Sequence, residues 1–350
     1  PKNNNPSFFS GLLAGSVGWG DACIIVPYEM YRRYGDARIL SENYEMMKKW
    51  YVFLEERAKK RPVNPVKRFK RNPYRRYTIE TGVDYGEWCE PDVESTSAMR
   101  TPQGKVATAF FAYSGRMLAE IAAILGKEDD AAYYSKTAEM AKKAWRFIAT
   151  EDGKISSDRQ ADYVRALAFG LLDGDEARQA AADLNELVKK CGYHLNTGFL
   201  STPNLTRVLC DYGYEDTAYK LLLQDTRPGW LYEVKKGATT IWETWDGINE
   251  KGEVKASLNH YSYGAICGWI LDAVCGIQVS DGKIRICPHP DKVLGYAKAS
   301  YQSPYGRIES GWKYDGDKVT YEFEIPSNTH AEVILPDGRR EVLDSGRYSL

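Results

Sequence analysis

Residues 106–126 read VATAFFAYSGRMLAEIAAILG, and residues 127–149 continue KEDDAAYYSKTAEMAKKAWRFIA. In the first stretch Val106, Ala109, Phe110, Tyr113, Met117, Ile121 and Leu125 fall on one stripe of helical period, and Gly126 stops it. The second stretch reads as another helix over Glu128–Ala149. Only Gly126-Lys127 separates the two, so the pair must double back as an antiparallel helical hairpin. That hairpin sets the fold class.

The pattern extends in both directions. Tyr44, Met47, Tyr51 and Leu54 share a stripe, with Ser41 placed to cap its start. Further helices are expected at Asp21–Tyr34, Arg159–Leu172, Asp175–Lys190, Asn204–Tyr212, Glu215–Leu223 and His260–Cys275, and Gly174-Asp175 makes a second tight connection. Serial hairpins build either a solenoid or a closed toroid. No self-similar period appears, which favours the toroid, with long loops rich in Gly, Trp and acid gathered at one end. About nine helices are countable, so a twelve-helix toroid would lack its first few here. After Gly276 the period changes to two: Val319, Tyr321, Phe323 and Ile325 alternate with polar residues, and Ala331, Val333 and Leu335 repeat the pattern before a turn at Asp337-Gly338. Lys283–Cys287, Tyr296–Tyr301 and Arg307–Trp312 add strands, roughly seven in all. The expectation is a mainly α chain, a partial toroid of helical hairpins over 1–277, followed by a small antiparallel β-sandwich over 278–350.

Composition narrows the function class. Lys+Arg 47 against Asp+Glu 48 leaves a net charge of -1, without the global basic excess of a nucleic-acid binder. The most apolar stretch, Ala265 to Ile277, is broken by Gly268 and Asp272 and is too short to span a membrane. Seven cysteines without a C-x-x-C pair, and four scattered histidines, supply neither a disulfide framework nor a metal site, and no cofactor is implied. Lys59, Lys60, Arg61, Lys67, Arg68, Lys70, Arg71, Arg75 and Arg76 are interleaved with Pro62, Pro65 and Pro73. That run suits a solvated loop, or attraction to an anionic polymer, either an acidic polysaccharide or nucleic acid.

The chemistry lies in carboxylates beside aromatics. Phosphate loops, dinucleotide fingerprints and nucleophile elbows are all missing from the chain. Instead three loops stand out: Gly18-Trp19-Gly20-Asp21, Asp84-Tyr85-Gly86-Glu87-Trp88-Cys89-Glu90, and Trp242-Glu243-Thr244-Trp245-Asp246-Gly247. Indole faces suit the C–H side of a sugar, while carboxylates accept bonds from its hydroxyls. Asp21 also suits a helix cap, and His260 suits either a structural bond or a sugar hydroxyl. A pair of carboxylates performs glycoside hydrolysis, and Glu243, bracketed by Trp242 and Trp245, is the best single catalytic candidate. The substrate-binding candidates are Trp19, Asp21, Trp88, Trp242, Trp245 and His260.

At these residues the sequence resembles the bacterial α-L-rhamnosidases of glycoside hydrolase family 78. The matching blocks are Gly18–Ala22, Tyr85–Trp88, Gly237-Ala238-Thr239-Thr240-Ile241-Trp242-Glu243-Thr244-Trp245-Asp246-Gly247 and Ser257-Leu258-Asn259-His260-Tyr261 with Gly264. Pro288-His289-Pro290, Ala297–Tyr301 and Ser303-Pro304-Tyr305-Gly306 follow in the same order. The resemblance implies an (α/α)6 barrel with a C-terminal β-sandwich, and release of terminal α-L-rhamnose with inversion. It implies Glu243 as general base, and Trp19, Asp21, Trp88 and His260 lining the sugar pocket. Glu87 stands where many members carry Asp, a change expected to act on the pocket beyond the rhamnose. The family's general acid sits in a block like D-C-P-x-R-D-E-R upstream of Gly18, and no such block occurs in this sequence. With Pro1 as first residue, the chain reads as the C-terminal part of a longer protein whose earlier segment carries the acid. Implied partners are rhamnose-containing oligosaccharides or glycosides, with no nucleic acid or membrane span, and an exported or periplasmic setting fits such substrates. Two alternatives stay open: a non-catalytic glycan binder or pseudo-enzyme, and a toroid glycosidase or lyase acting on another sugar.

Overall fold

The computed structural model describes residues 15–61, 72–91, 93 and 103–350. The chain divides into two units, Pro1–Glu29 with Ala37–Tyr263, and Met30–Asp36 with Gly264–Leu350.

In the first unit the helical hairpin read from residues 106–149 is present as α3 (Gly104–Ile124) and α4 (Glu128–Ala149). The turn closes on itself: the Gly126 amide donates to the Ala123 carbonyl at 3.0 Å, and the Lys127 amide to the Ala122 carbonyl at 2.8 Å. The preceding helices are α1 (Ala22–Tyr34), whose residues from Met30 on belong to the second unit, and α2 (Arg38–Lys59). Two further hairpins follow, α5 (Gln160–Ala168) with α6 (Gly174–Lys190), and α7 (Thr202–Asp211) with α8 (Glu215–Leu222), before the short α9 (Trp230–Lys235). The first helix of each hairpin packs on the first helix of the next, placing α3, α5 and α7 in an inner row. Burial agrees: 15 of the 21 residues of α3 are buried but only 7 of the 22 in α4, as an inner and an outer ring require. Small residues such as Ala107, Ala109, Ser114 and Gly115 let α3 be enclosed on nearly every side. One local expectation fails. Ser41 does not cap α2, because the Ala37 carbonyl already accepts the Leu40 and Ser41 amides and starts the helix at Arg38; Ser41 Oγ donates back to the Arg38 carbonyl at 2.9 Å.

In the second unit, α10 (Ile266–Trp269) runs into a π-helical turn over Ile270–Val274. The expected helix over His260–Cys275 is therefore shorter and broken. The residues before it are held instead in irregular backbone pairing, the His260 amide donating to the Ile241 carbonyl at 2.8 Å and the Glu243 amide to the Ser257 carbonyl at 2.9 Å. Beyond a two-stranded hairpin of β1 (Thr150–Glu151) and β2 (Lys154–Ile155) in the first unit, six strands form one hydrogen-bonded sheet: β3 (Ile277–Ser280), β4 (Lys283–Ile286), β5 (Tyr296–Ser303), β6 (Gly306–Asp315), β7 (Lys318–Ile334) and β8 (Arg340–Ser349). All pairings are antiparallel except β4 with β7. The two alternating runs read from the sequence are one strand, β7, interrupted by a register shift between Ile325 and His330. Its first half lies beside β6 and its second beside β4, while β8 follows both. Tyr321, Phe323, Ile325, Ala331 and Val333 are buried, as the alternation predicts. The Trp312 indole donates to the Val274 carbonyl at 2.7 Å, and Ser310 Oγ to the Cys275 carbonyl at 2.6 Å, fastening the sheet to the end of the helix before it.

Candidate active site

The three loops, far apart in sequence, assemble in the first unit. Gly18 takes φ +89°, a left-handed backbone open to glycine, and an added Cβ at Gly20 would sit 2.1 Å from the Trp50 ring. The two glycines thus let a tight turn lift Trp19, which is half-buried. Asp21 holds that turn from beneath. It is fully buried, and its carboxylate accepts from the Gly18 amide at 2.7 Å, the Trp50 indole at 3.1 Å and Ser114 Oγ at 2.5 Å. Burial raises its pKa against the pull of those three donors.

The second loop is bound to the first through a buried ion pair. Arg57 grips Asp84 with both terminal nitrogens, each at 2.9 Å, and reaches the Gly15 carbonyl at 3.2 Å. Asp84 also accepts the Val17 amide at 2.8 Å, and Ser16 Oγ accepts the Tyr85 amide at 3.0 Å. The result is a run of rings: Trp19 lies 4.7 Å from Tyr85, which meets Trp88 edge-on at 5.1 Å. Glu87 points the other way. It is buried, paired with Arg165, and accepts the Gly198 amide at 3.1 Å, the Ser201 amide at 2.8 Å and Ser201 Oγ at 2.9 Å. It fastens residues 198–201 to the second loop, where the Phe199 amide donates to the Trp88 carbonyl at 2.9 Å.

Phe199 carries the run onward, stacking on His260 at 4.9 Å. His260 and Glu243 lie on two stretches paired irregularly through backbone bonds. The His260 amide reaches the Ile241 carbonyl at 2.8 Å, the Glu243 amide the Ser257 carbonyl at 2.9 Å, and the Lys255 amide the Gly247 carbonyl at 2.8 Å. Glu243 is half-buried, and its carboxylate accepts the Ser257 amide at 3.3 Å. Among the described residues no cation is paired with it.

Trp242 and Trp245, by contrast, are 1% and 3% exposed. Trp245 stacks on Tyr263 at 4.1 Å and meets Trp230 edge-on at 5.4 Å, while the Tyr263 hydroxyl donates to the Cys89 carbonyl. These buried indoles anchor the third loop, and Trp245 ties it to the second through Tyr263.

Two residues escape the sequence reading. Phe199 stands in Thr197-Gly198-Phe199-Leu200, with no acid beside it to mark a site. Glu233 lies in α9, is 1% exposed, and accepts the Trp242 amide on Oε2 at 3.2 Å, while its Oε1 has no partner among the described residues. Burial pushes its pKa up to about 7, against the pull of the Trp242 amide. Its spacing from Trp230 was the available signal, since i and i+3 share a helix face and Trp230 is buried.

Of the basic run, Lys67, Arg68, Lys70 and Arg71 lie outside the described residues, while Lys59 is paired with Glu56 at 2.8 Å. Among the described residues no group of three or more His, Cys, Asp and Glu is arranged to hold a metal ion, and no helix is long and apolar enough to cross a membrane.

Residues 3–274 match the family model of the bacterial alpha-L-rhamnosidase 6 hairpin glycosidase domain, and residues 282–349 that of the bacterial alpha-L-rhamnosidase C-terminal domain. An alpha-L-rhamnosidase of Formosa agariphila is 35% identical over 338 residues, which are 94% of this chain and 35% of the relative. One from Streptomyces avermitilis is 35% identical over 332 residues, 92% of this chain and 30% of the relative. The solved structure of a Streptomyces avermitilis alpha-L-rhamnosidase complexed with L-rhamnose superposes with TM-score 0.82 at 31% identity, covering 96% of this chain and 33% of that one. That of the Aspergillus terreus enzyme gives 0.82 at 28% identity, with 96% and 39% covered. The chain therefore spans about a third of the length of the curated relatives it matches. With helical hairpins in two rows, a sheet unit behind them in sequence, and the two family models matching residues 3–274 and 282–349, the chain belongs to the bacterial alpha-L-rhamnosidase six-hairpin glycosidase family.

Proposed function

We propose that this chain forms the base-bearing side of the active site of an inverting, exo-acting α-L-rhamnosidase. The observation that carries this reading is the half-buried Glu243 carboxylate, free of any cation among the described residues, on a stretch whose backbone pairs with that of His260, where the run Trp19, Tyr85, Trp88, Phe199 and His260 ends. Glu243 removes a proton from water as the water oxygen attacks the anomeric carbon. The bond from that carbon to the leaving oxygen breaks, and that oxygen takes a proton from an acid contributed by another segment of the protein. The products are the free alcohol and rhamnose of inverted configuration. A water fits between two such carboxyl groups when they stand roughly 6.5–9.5 Å apart.

In this reading Trp19 and Trp88 turn indole faces to the C–H side of the sugar, and His260, held flat against Phe199, presents a ring nitrogen to a hydroxyl. Asp21, Trp242 and Trp245 act from within the packing, Asp21 fixing the turn of Trp19 and the two indoles anchoring the loop of Glu243. The Streptomyces avermitilis relative complexed with L-rhamnose supports rhamnose as the sugar.

The test is Glu243→Gln in the full-length protein. Turnover of an aryl α-L-rhamnoside should fall on the order of a thousandfold with the thermal midpoint unchanged. Near-normal turnover rejects Glu243 as base, and rhamnose binding without turnover in the unmodified protein indicates a glycan binder. Proton NMR of the first-formed sugar should show the inverted anomer.

A further inference from the structure

We infer that Glu233 is a positioning residue for rhamnoside hydrolysis: its carboxyl grips the Trp242 amide and thereby fixes the stretch from which Glu243 projects. This rests on the assignment of Glu243 as base.

The backbone on either side of Glu243 is held from two directions. On one side the Glu243 amide donates to the Ser257 carbonyl at 2.9 Å, and the His260 amide to the Ile241 carbonyl at 2.8 Å. On the other, the Trp242 amide is taken by Glu233 Oε2 at 3.2 Å. Glu233 itself has little freedom, because α9 carries it into the packing while Val234, the next residue, is exposed. The Ala238 amide donates to the Glu233 carbonyl at 3.0 Å, so the turn that closes α9 is fastened to the residue that reaches back to Trp242. Removing the side-chain contact leaves the loop anchored along one edge.

A purely structural account of Glu233 is poor. A carboxyl buried with one oxygen unpartnered is a standing cost, and an apolar side chain of similar size would fill the space without it. Retention of a destabilising group next to a reacting residue is what a site held in place at the expense of stability looks like. Small displacements of a general base are expensive in rate, since proton abstraction needs hydrogen-bond contact with the attacking water.

The experiment compares three variants in the full-length protein. Glu233→Gln keeps an oxygen acceptor at the same reach. Glu233→Met keeps the volume without an acceptor, and Glu233→Asp withdraws the acceptor by one methylene. Two readouts are taken, steady-state kinetics on an aryl α-L-rhamnoside and amide hydrogen exchange of the segment 239–245. Glu233→Gln should keep kcat within about threefold, while Glu233→Met and Glu233→Asp lose on the order of tenfold to a hundredfold in kcat with KM little changed. Exchange in 239–245 should accelerate in Met and Asp but not in Gln, with α3 peptides unaffected. Wild-type kcat in Met or Asp overturns the proposal, as does a Gln variant that falls as far as either. If Met does not fold, Asp and Gln still decide it. Glu243→Gln is run in parallel: if it stays active the base assignment fails, while the exchange comparison still reads whether Glu233 anchors Trp242.

Discussion

Glu233 shows how one buried carboxyl makes stability depend on pH. Its pKa is raised by burial from 4.5 to about 7. The folded state therefore holds its proton where the unfolded chain has released it. The stabilising effect of the neutral acid is complete below about pH 4.5, is lost progressively as pH rises, and is gone above about pH 7. The glutamine variant carries no such dependence. Urea midpoints at about pH 5 and about pH 8 should show Glu233→Gln gaining on the wild type by on the order of 2 kcal/mol at the higher pH. An equal difference at both values would place the carboxyl in contact with water. Asp21 has the same raised direction, but it is met by three donors, so its burial serves a defined turn.

At the scale of elements, the costly buried ion pairs tie loops to helices. Arg57 on α2 and Asp84 in the second loop form a buried bidentate pair that also collects the Gly15 carbonyl and the Val17 amide. Asp84→Ala leaves a guanidinium buried without its partner, which should lower stability by about 3–5 kcal/mol. The same change releases the first loop from the second, so Trp19 and Tyr85 should separate, and KM for the rhamnoside should rise in whatever fraction still folds. Thermal midpoints with substrate kinetics check both. An exposed pair such as Arg178 with Asp175 should contribute under about 1 kcal/mol. The two alternating stretches of the sheet make a related point: local pattern gives the strand faces, but the break at residues 326–329 decides that one strand serves two different neighbours.

Over the whole first unit, the site is a junction of segments separated by more than two hundred residues. Trp19, Tyr85, Trp88, Phe199 and His260 follow one another through ring and backbone contacts, and neither Phe199 nor His260 has an acid or tryptophan within three positions in sequence. Phe199→Ala should remove the surface on which the His260 ring lies, weakening rhamnoside binding by about 1 kcal/mol and raising KM several-fold with kcat less affected. A KM unchanged in Phe199→Ala would detach His260 from the sugar. Coupling should be visible in a double-mutant cycle with His260→Ala, since contacting rings are not additive.

The sequence by itself determined what repeats locally. Helical period gave the hairpin around Gly126, period two gave the strand faces, and acids crowded by tryptophan marked Glu243 and the loops of Trp19 and Trp88. These are legible because each depends on residues within a few positions of one another. Tertiary structure alone decided which marked residues face outward. Trp242 and Trp245 flank Glu243 in sequence yet are buried while Glu243 stays half-exposed, because the chain bends and turns over residues 243–247 and the Trp245 ring packs against Tyr263 and Trp230. It also decided that Glu87 anchors a distant loop and that Glu233 holds the Trp242 amide. A hydrogen bond across the fold leaves no mark in the spacing of the residues that make it.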